Sequence, residues 1–171
     1  AASDSQPDDF YNGMRITVYT GTGYGNTGVI ADYVASTKTA SVQKENGTAG
    51  FDVFVNSGLS AATSFDTTSG YEIEPRVAIS GGGSPSRNAL ARAVVENQQV
   101  SKILILDGGA GYSSAPTVTI TDPNASSVVT ATSAIGNGVI SQTTVTTAGS
   151  GYKTETTTAT ITGDGFAEIA A

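Results

Sequence analysis

"DGGAGYSSAPTVTI" (residues 107–120) is the stretch whose reading decides the fold. Its three glycines in four residues either open backbone N–H groups toward a phosphate or turn the chain between two strands. A P-loop needs Gly-x4-Gly-Lys-[Ser/Thr], because the lysine reaches the terminal phosphates. A dinucleotide fingerprint needs Gly-x-Gly-x-x-Gly between a strand and a helix, whose N-terminus faces the pyrophosphate. Here no lysine follows, and the glycines lead into Pro116 and a β-branched strand. The other glycine-rich stretch, "GTGYGNTG" (21–28), also leads into a strand, "VIADYVA" (29–35). Both read as turns.

Alignment on the tyrosines shows what kind of turn 107–116 is. "SGYEIEPRVAI" (69–79) and "AGYSSAPTVTI" (110–120) share the frame Gly-Tyr-x3-Pro-x-Val-x-Ile. "SGYKTETTTATI" (150–161) is a third copy, one residue longer and without the proline. Tyr71, Tyr112 and Tyr152 stand 41 and 40 residues apart. The stretch 89–112 also lies over 129–152, so that Val100 meets Ile140 and Ile105 meets Val145. A fixed period of this size marks tandem structural units. Three equivalent corners are expected, at Gly70, Tyr71 and Pro75, at Gly111, Tyr112 and Pro116, and at Gly151 and Tyr152. Each ring would cover its turn, with the hydroxyl bonding to backbone. A row of sugar-stacking tyrosines is the alternative.

Between corners, each unit contains a strand, a tight turn ("ENQQ" or "GNGV") and a second strand. Asn-Gly set between alternating residues is a strong hairpin signal. Propensity alone would allow a helix over 86–99, but its partner in the repeat, "VTATSAI", is strand-like, so 89–96 is expected to be a strand. Upstream, "MRITVYT" (14–20) alternates Met14, Ile16 and Val18 against Arg15, Thr17 and Tyr19, the period of a half-buried strand. "VIADYVA" (29–35), "TASVQ" (39–43) and "FDVFV" (51–55) continue as a meander, followed by a Ser/Ala-rich connection at 57–69. The expected fold is all-β, with short antiparallel strands in small sandwich- or barrel-like modules. Residues 1–80 would form a β meander, and 81–171 a tandem module of ~40-residue β repeats. The chain ends read as those of a segment cut from a longer polypeptide.

Composition narrows the chemistry. Hydrophobic residues make up 38% and charged residues only 13%, with 21 glycines among many Thr and Ser, which suits short strands and frequent turns. A net charge of −7, with eight scattered basic residues, argues against nucleic-acid binding. There is no cysteine for a disulfide or thiolate site, and no histidine for Ser-His or Cys-His catalysis. No apolar run is long enough to span a membrane as a helix. Paired carboxylates can work without histidine. However, Asp8 and Asp9 lie in a loose-looking N-terminus, Asp52 and Asp66 flank loops, and Glu72 and Glu74 suggest an exposed strand face. Asp107, Asp122, Asn124 and Asp164 are weak candidates for a calcium site, because they lie at strand ends beside Gly or Pro. Such residues also serve turns directly. No cofactor and no catalytic residue is expected.

The stretch "DDFYNGMRITVYTGTGYGNTGVIADYVASTKTASV" (8–42) resembles a module that recurs in tail and other virion proteins of bacteriophages. "FDTTSGYEI" (65–73) is similar to the segment that closes it. The units at 89–121 and 129–162 resemble the "GSGY-(S/T)SAPTVTITDP" repeats of baseplate and fibre proteins of T4-like phages. The third corner departs in lacking its proline, and 44–62 is longer than the module usually shows. The resemblance implies a β-rich structural component of the virion, in a tail, baseplate or fibre. It would form a trimer or higher symmetric oligomer with itself and contact other virion proteins. The alternatives are a host-adhesion module that binds a surface glycan and a non-catalytic fragment of a tail-associated depolymerase.

Overall fold

A computed structural model describes residues 6–53, 68–158 and 168–170, with 155–158 and 168–170 given through their backbone alone. Among these residues the chain is all-β, without a helix. Strands β1 (Arg15–Thr20), β2 (Asn26–Val34), β3 (Thr39–Gln43), β4 (Asp52–Val53) and β5 (Gly70–Glu74) come first. β6 (Arg76–Ser80), β7 (Leu90–Glu96), β8 (Gln99–Asp107), β9 (Thr117–Thr121), β10 (Thr130–Gly136) and β11 (Val139–Thr147) follow. β12 (Glu155–Thr158) and β13 (Glu168–Ala170) complete the order.

Two compact units result, one from Ala1–Ile73 with Thr154–Ala171 and one from Glu74–Lys153. The border expected between residues 80 and 81 thus lies at 73/74, and the tail belongs to the first unit. The reason is strand pairing. β5 and β12 flank the second unit in sequence and pair antiparallel, Ile73 opposite Glu155 and Gly70 opposite Thr158, in the sheet of the first unit. The second unit is therefore an insertion.

In the first unit the sheet order is β12-β5-β1-β2-β3-β13, with β4 also paired to β2. The alternation of β1 places Met14, Ile16 and Val18 in the core with Ile30, Tyr33, Val42, Phe51, Tyr71 and Ile73. Arg15 departs from the outward expectation. Its side chain is 4% exposed and lies 2.6 Å from Glu45, whose loop folds back through Lys44 N–H to Thr48 C=O. "DDFYNG" is ordered rather than loose. Asp8 accepts the Ala35 N–H at 2.7 Å, Asp9 N–H donates to the Tyr33 carbonyl, and Asp9 accepts the Asn12 side-chain amide. Phe10, Tyr11 and Tyr33 follow edge to face, with successive centroids 4.9 Å apart. Of the strand expected at 51–55, Asp52–Val53 forms β4 and Phe51 lies in the core just before it; 54–55 lie outside the described residues, as does most of 57–69.

The second unit is built from two copies of one design. β7 pairs with β8 and β10 with β11, each across a two-residue turn with positive φ at both positions (Asn97 and Gln98; Asn137 and Gly138). That is the mirror-image turn that suits strand twist. The segment 89–96 is thus strand β7, as its partner in the repeat indicated. Between the copies β6 pairs antiparallel with β9, from Arg76 opposite Thr121 to Ser80 opposite Thr117. β8 lies against β11, β6 against β7 and β9 against β10, so six strands close a ring. Val77, Ala91, Ala93, Val100, Ile103, Val118, Ile120, Val129 and Tyr152 fill it.

The seam between copies is self-complementary. Val100 N–H donates to Ala148 C=O, and forty residues on, Ile140 N–H donates to Gly108 C=O. Likewise Tyr152 N–H donates to Gln98 C=O, and Tyr112 N–H to Gly138 C=O. Residue i of one copy bonds j of the other, and j of the first bonds i of the second. This is the relation an isologous dimer makes across its two-fold axis, here within one chain.

Each copy is closed by its tyrosine. Ala89 N–H donates to the Tyr112 hydroxyl at 2.8 Å and Val129 N–H to the Tyr152 hydroxyl at 2.9 Å. Gly109 and Gly149 take φ of 70° and 64°, and a Cβ at either would fall within 3 Å of a backbone carbonyl and the tyrosine ring. Removing the hydroxyl should leave the Val129 N–H without its acceptor in a buried place, at a cost of about 1–3 kcal/mol. Tyr152→Phe is accordingly expected to lower the unfolding free energy by that amount, read as a lower urea midpoint at unchanged slope. Tyr112→Phe should lower it less, since the Ala89 bond is only partly buried. An unchanged midpoint for Tyr152→Phe would remove the hydroxyl from the account of the corner.

Candidate functional site

Four kinds of position carry chemical candidates: the glycine turns, the cation-type oxygens, the carboxylates and the aromatic rings. In the turn 107–116 five backbone donors are engaged within the protein. Gly109 N–H bonds the Asp107 carboxylate, Ala110 N–H the Arg87 carbonyl and Tyr112 N–H the Gly138 carbonyl. Ser113 and Ser114 N–H both reach Gly82 C=O. In 21–28, Tyr24, Gly25 and Asn26 N–H reach the carbonyls of Gly21, Val18 and Gly23. Gly21 has φ of 69°, and a Cβ there would lie 2.0 Å from the Thr68 carbonyl oxygen, so close backbone packing explains this glycine. Neither turn presents the row of open N–H groups that a phosphate needs.

The candidate calcium ligands separate. Asp107 holds the Arg87 guanidinium at 2.9 Å with one oxygen and the Gly109 N–H at 2.8 Å with the other. Asp122, which is buried, accepts Asn124 N–H with one oxygen and Lys153 N–H with the other. In the first copy the amide equivalent to Lys153, that of Ser113, is received by Gly82 C=O. Asp122 thus does with a side chain what the first copy does with a backbone carbonyl. Asp164 lies outside the described residues. Among the described residues no group of three or more acidic, His or Cys side chains could hold a metal ion.

Glu72 and Glu74 do not form an exposed acidic face. The Glu74 side chain is 3% exposed and paired with Arg92 at 2.9 Å. A buried carboxylate with a guanidinium partner is a structural pair, costly to break because the remaining charge is left in a dry place.

Tyr71, Tyr112 and Tyr152 are 0%, 4% and 1% exposed. A sugar stacks on an open aromatic face, so these rings are not such a platform. The three are not equivalent either. Gly111 and Gly151 turn with φ of 81° and 80°, but Gly70 sits within β5, and Tyr71 packs in the core of the first unit. A Cβ on Gly70 would lie 2.5 Å from Thr20 Oγ1 and 3.3 Å from the Tyr19 ring, so this glycine serves close strand packing. Pro75 and Pro116 do correspond, each buried just before a strand of the β6–β9 pair.

The exposed large apolar side chains were not singled out by the sequence. They include Tyr19, Tyr24, Val34, Leu104, Leu106, Val128 and Val139, with Tyr24 60% and Val128 72% exposed. Leu104 and Leu106 sit in an unbroken alternation, outward while Ile103 and Ile105 turn inward, which was legible in "KILILD".

Compared with known proteins, the chain matches no family model, no curated protein and no solved structure.

Because Asp122 serves two amides rather than a cation, Asp122→Ala is expected to cost about 2–3 kcal/mol, as charge-assisted bonds to backbone N–H do. Adding calcium or a chelator should leave the melting temperature of the unaltered chain where it is. Thermal unfolding in the two conditions tests this, and a calcium-dependent rise that Asp122→Ala abolishes would make the residue a ligand.

Proposed function

We propose that the chain is a structural component of a bacteriophage virion, in the tail, baseplate or fibre, and acts by assembly and protein contact without catalysis. The observation that carries this reading is a coincidence of motif and architecture. The stretch 8–42 that resembles a virion module supplies the ordered "DDFYNG" turn and strands β1 to β3 of one unit. The stretches that resemble baseplate and fibre repeats supply the two self-complementary copies of the other.

Supporting it, three candidate carboxylates among the described residues are engaged in holding the fold: Glu74 on Arg92, Asp107 on Arg87 and Asp122 on the corner amides. Small β units joined by short turns suit a part whose neighbours cover its surface, since each buries little by itself. The partners proposed are further copies of this chain, in a trimer or higher symmetric oligomer, and other virion proteins.

Mass spectrometry of purified particles from a culture that produces the chain tests the proposal. The chain should be recovered in several copies per particle and localise to the tail region in particle images. Recovery only in the soluble fraction, with intact particles lacking it, would overturn it.

A further inference from the structure

The two copies of the second unit share one backbone plan, and their outward faces differ; inside, Ala93 and Ile103 of the first copy stand where the second has Ser133 and Thr143. Val100 and Ile140 are buried at equivalent positions. On the outward face of β8, however, the first copy places Lys102, Leu104 and Leu106, all exposed, the leucines by 40% and 46%. At the same positions of β11 the second copy places Gln142, Thr144 and Thr146. The fold therefore does not require leucine there, because its own duplicate is built with threonine. Across the hairpin, Val94 stands opposite Lys102, and Arg92, whose charge is met by Glu74, opposite Leu104, which extends the face beside Lys102 onto β7.

Charge is divided just as unevenly. Residues 1–73 and 154–171 hold eleven carboxylates against three basic residues, and 74–153 hold four against five, giving net −8 and +1. In the first unit, exposed Asp32 and Val34 alternate outward at the end of β2, with Tyr33 buried between them. The bonds from Ala35 N–H to Asp8 and from Asp9 N–H to Tyr33 bring two more exposed carboxylates to that end of the strand. Lys38 of the adjoining turn is the one basic residue in this stretch. This surface is acidic around an apolar side chain, whereas the β7–β8 face is apolar with a cationic edge.

We infer that the β7–β8 face of one chain, through Lys102, Leu104 and Leu106, docks on the Asp8–Asp9–Asp32–Val34 surface of a second copy. The contact is heterologous, so repeating it closes a ring or extends a filament. Burial of the leucines supplies attraction, and the opposite charges select the orientation. The inference rests on the assembly role proposed above. It is tested on the isolated chain, so its failure would leave the search for the chain in particles to decide that role separately.

The test is sedimentation of the full chain over a concentration series at low salt. One variant carries the face of the second copy (Lys102→Gln, Leu104→Thr and Leu106→Thr), and another carries Asp32→Lys. The natural chain should associate, and more weakly as salt screens the charges. Each variant alone should lose association by about tenfold or more, as expected when the centre of a contact is removed. Mixed in equal amounts the two variants should form a heterodimer and nothing larger, because each still offers one intact face. Unchanged circular dichroism and melting verify the fold, and Lys102→Glu serves as a second, single-site variant. A natural chain that stays monomeric throughout, variants that associate as before, or a mixture that stays monomeric would each overturn the inference.

Discussion

The hydrogen bond from a backbone N–H to a tyrosine hydroxyl, made once in each copy, buried in the second and partly buried in the first, is the contact on which the inserted unit depends. A glycine corner is costly to order and has no side chain of its own with which to fill the bend. The ring supplies that filling, and the hydroxyl accepts the amide that the departing strand leaves open. Leaving such an amide unpaired in a buried place costs more than the formed bond contributes net. Once the tyrosine is seated, its own amide reaches a carbonyl of the other copy, Gly138 for Tyr112 and Gln98 for Tyr152, and the seam between β8 and β11 continues from there. Corner and seam are therefore one construction.

A self-complementary seam within one chain removes the concentration dependence that a two-fold dimer would have. It also relaxes the sequence, since the copies must agree chiefly at the seam and the corner; even inward, Ala93 is matched by Ser133 and Ile103 by Thr143, whose hydroxyls bond backbone carbonyls. The pairs that agree are Ala91 with Ala131, Val100 with Ile140, and Tyr112 with Tyr152. Those that differ lie outside or are met by other means. Asp122 receives through its carboxylate the amide that Gly82 receives through its carbonyl in the first copy.

Most of this was legible in the sequence where periodicity and turn chemistry spoke together. The alternation of "MRITVYT", the Asn-Gly turn and the forty-residue register each named an element correctly. The sequence misled where one motif served two environments. "SGYEIE" shares Gly-Tyr and a following proline with "AGYSSA", but Glu-Ile-Glu continues a strand where Ser-Ser-Ala allows a bend. Gly70 is thus small for packing rather than for φ. Arg15 and Glu74 read as outward charges, because pairing to Glu45 and Arg92 is a tertiary matter that alternation does not report. The unit border was hidden for the same reason, since pairing of β5 with β12 joins residues about eighty apart.

The unequal faces follow from that relaxation. A duplicated scaffold starts with the same outward side chains on both copies, and the fold tolerates either choice at positions 104 and 144, or 106 and 146. Exposed leucine beside lysine costs solubility, whereas threonine keeps the strand without that cost. The docking proposed for the β7–β8 face would give this asymmetry a reason, because it sets leucine and lysine against the acidic surface of the first unit of another copy.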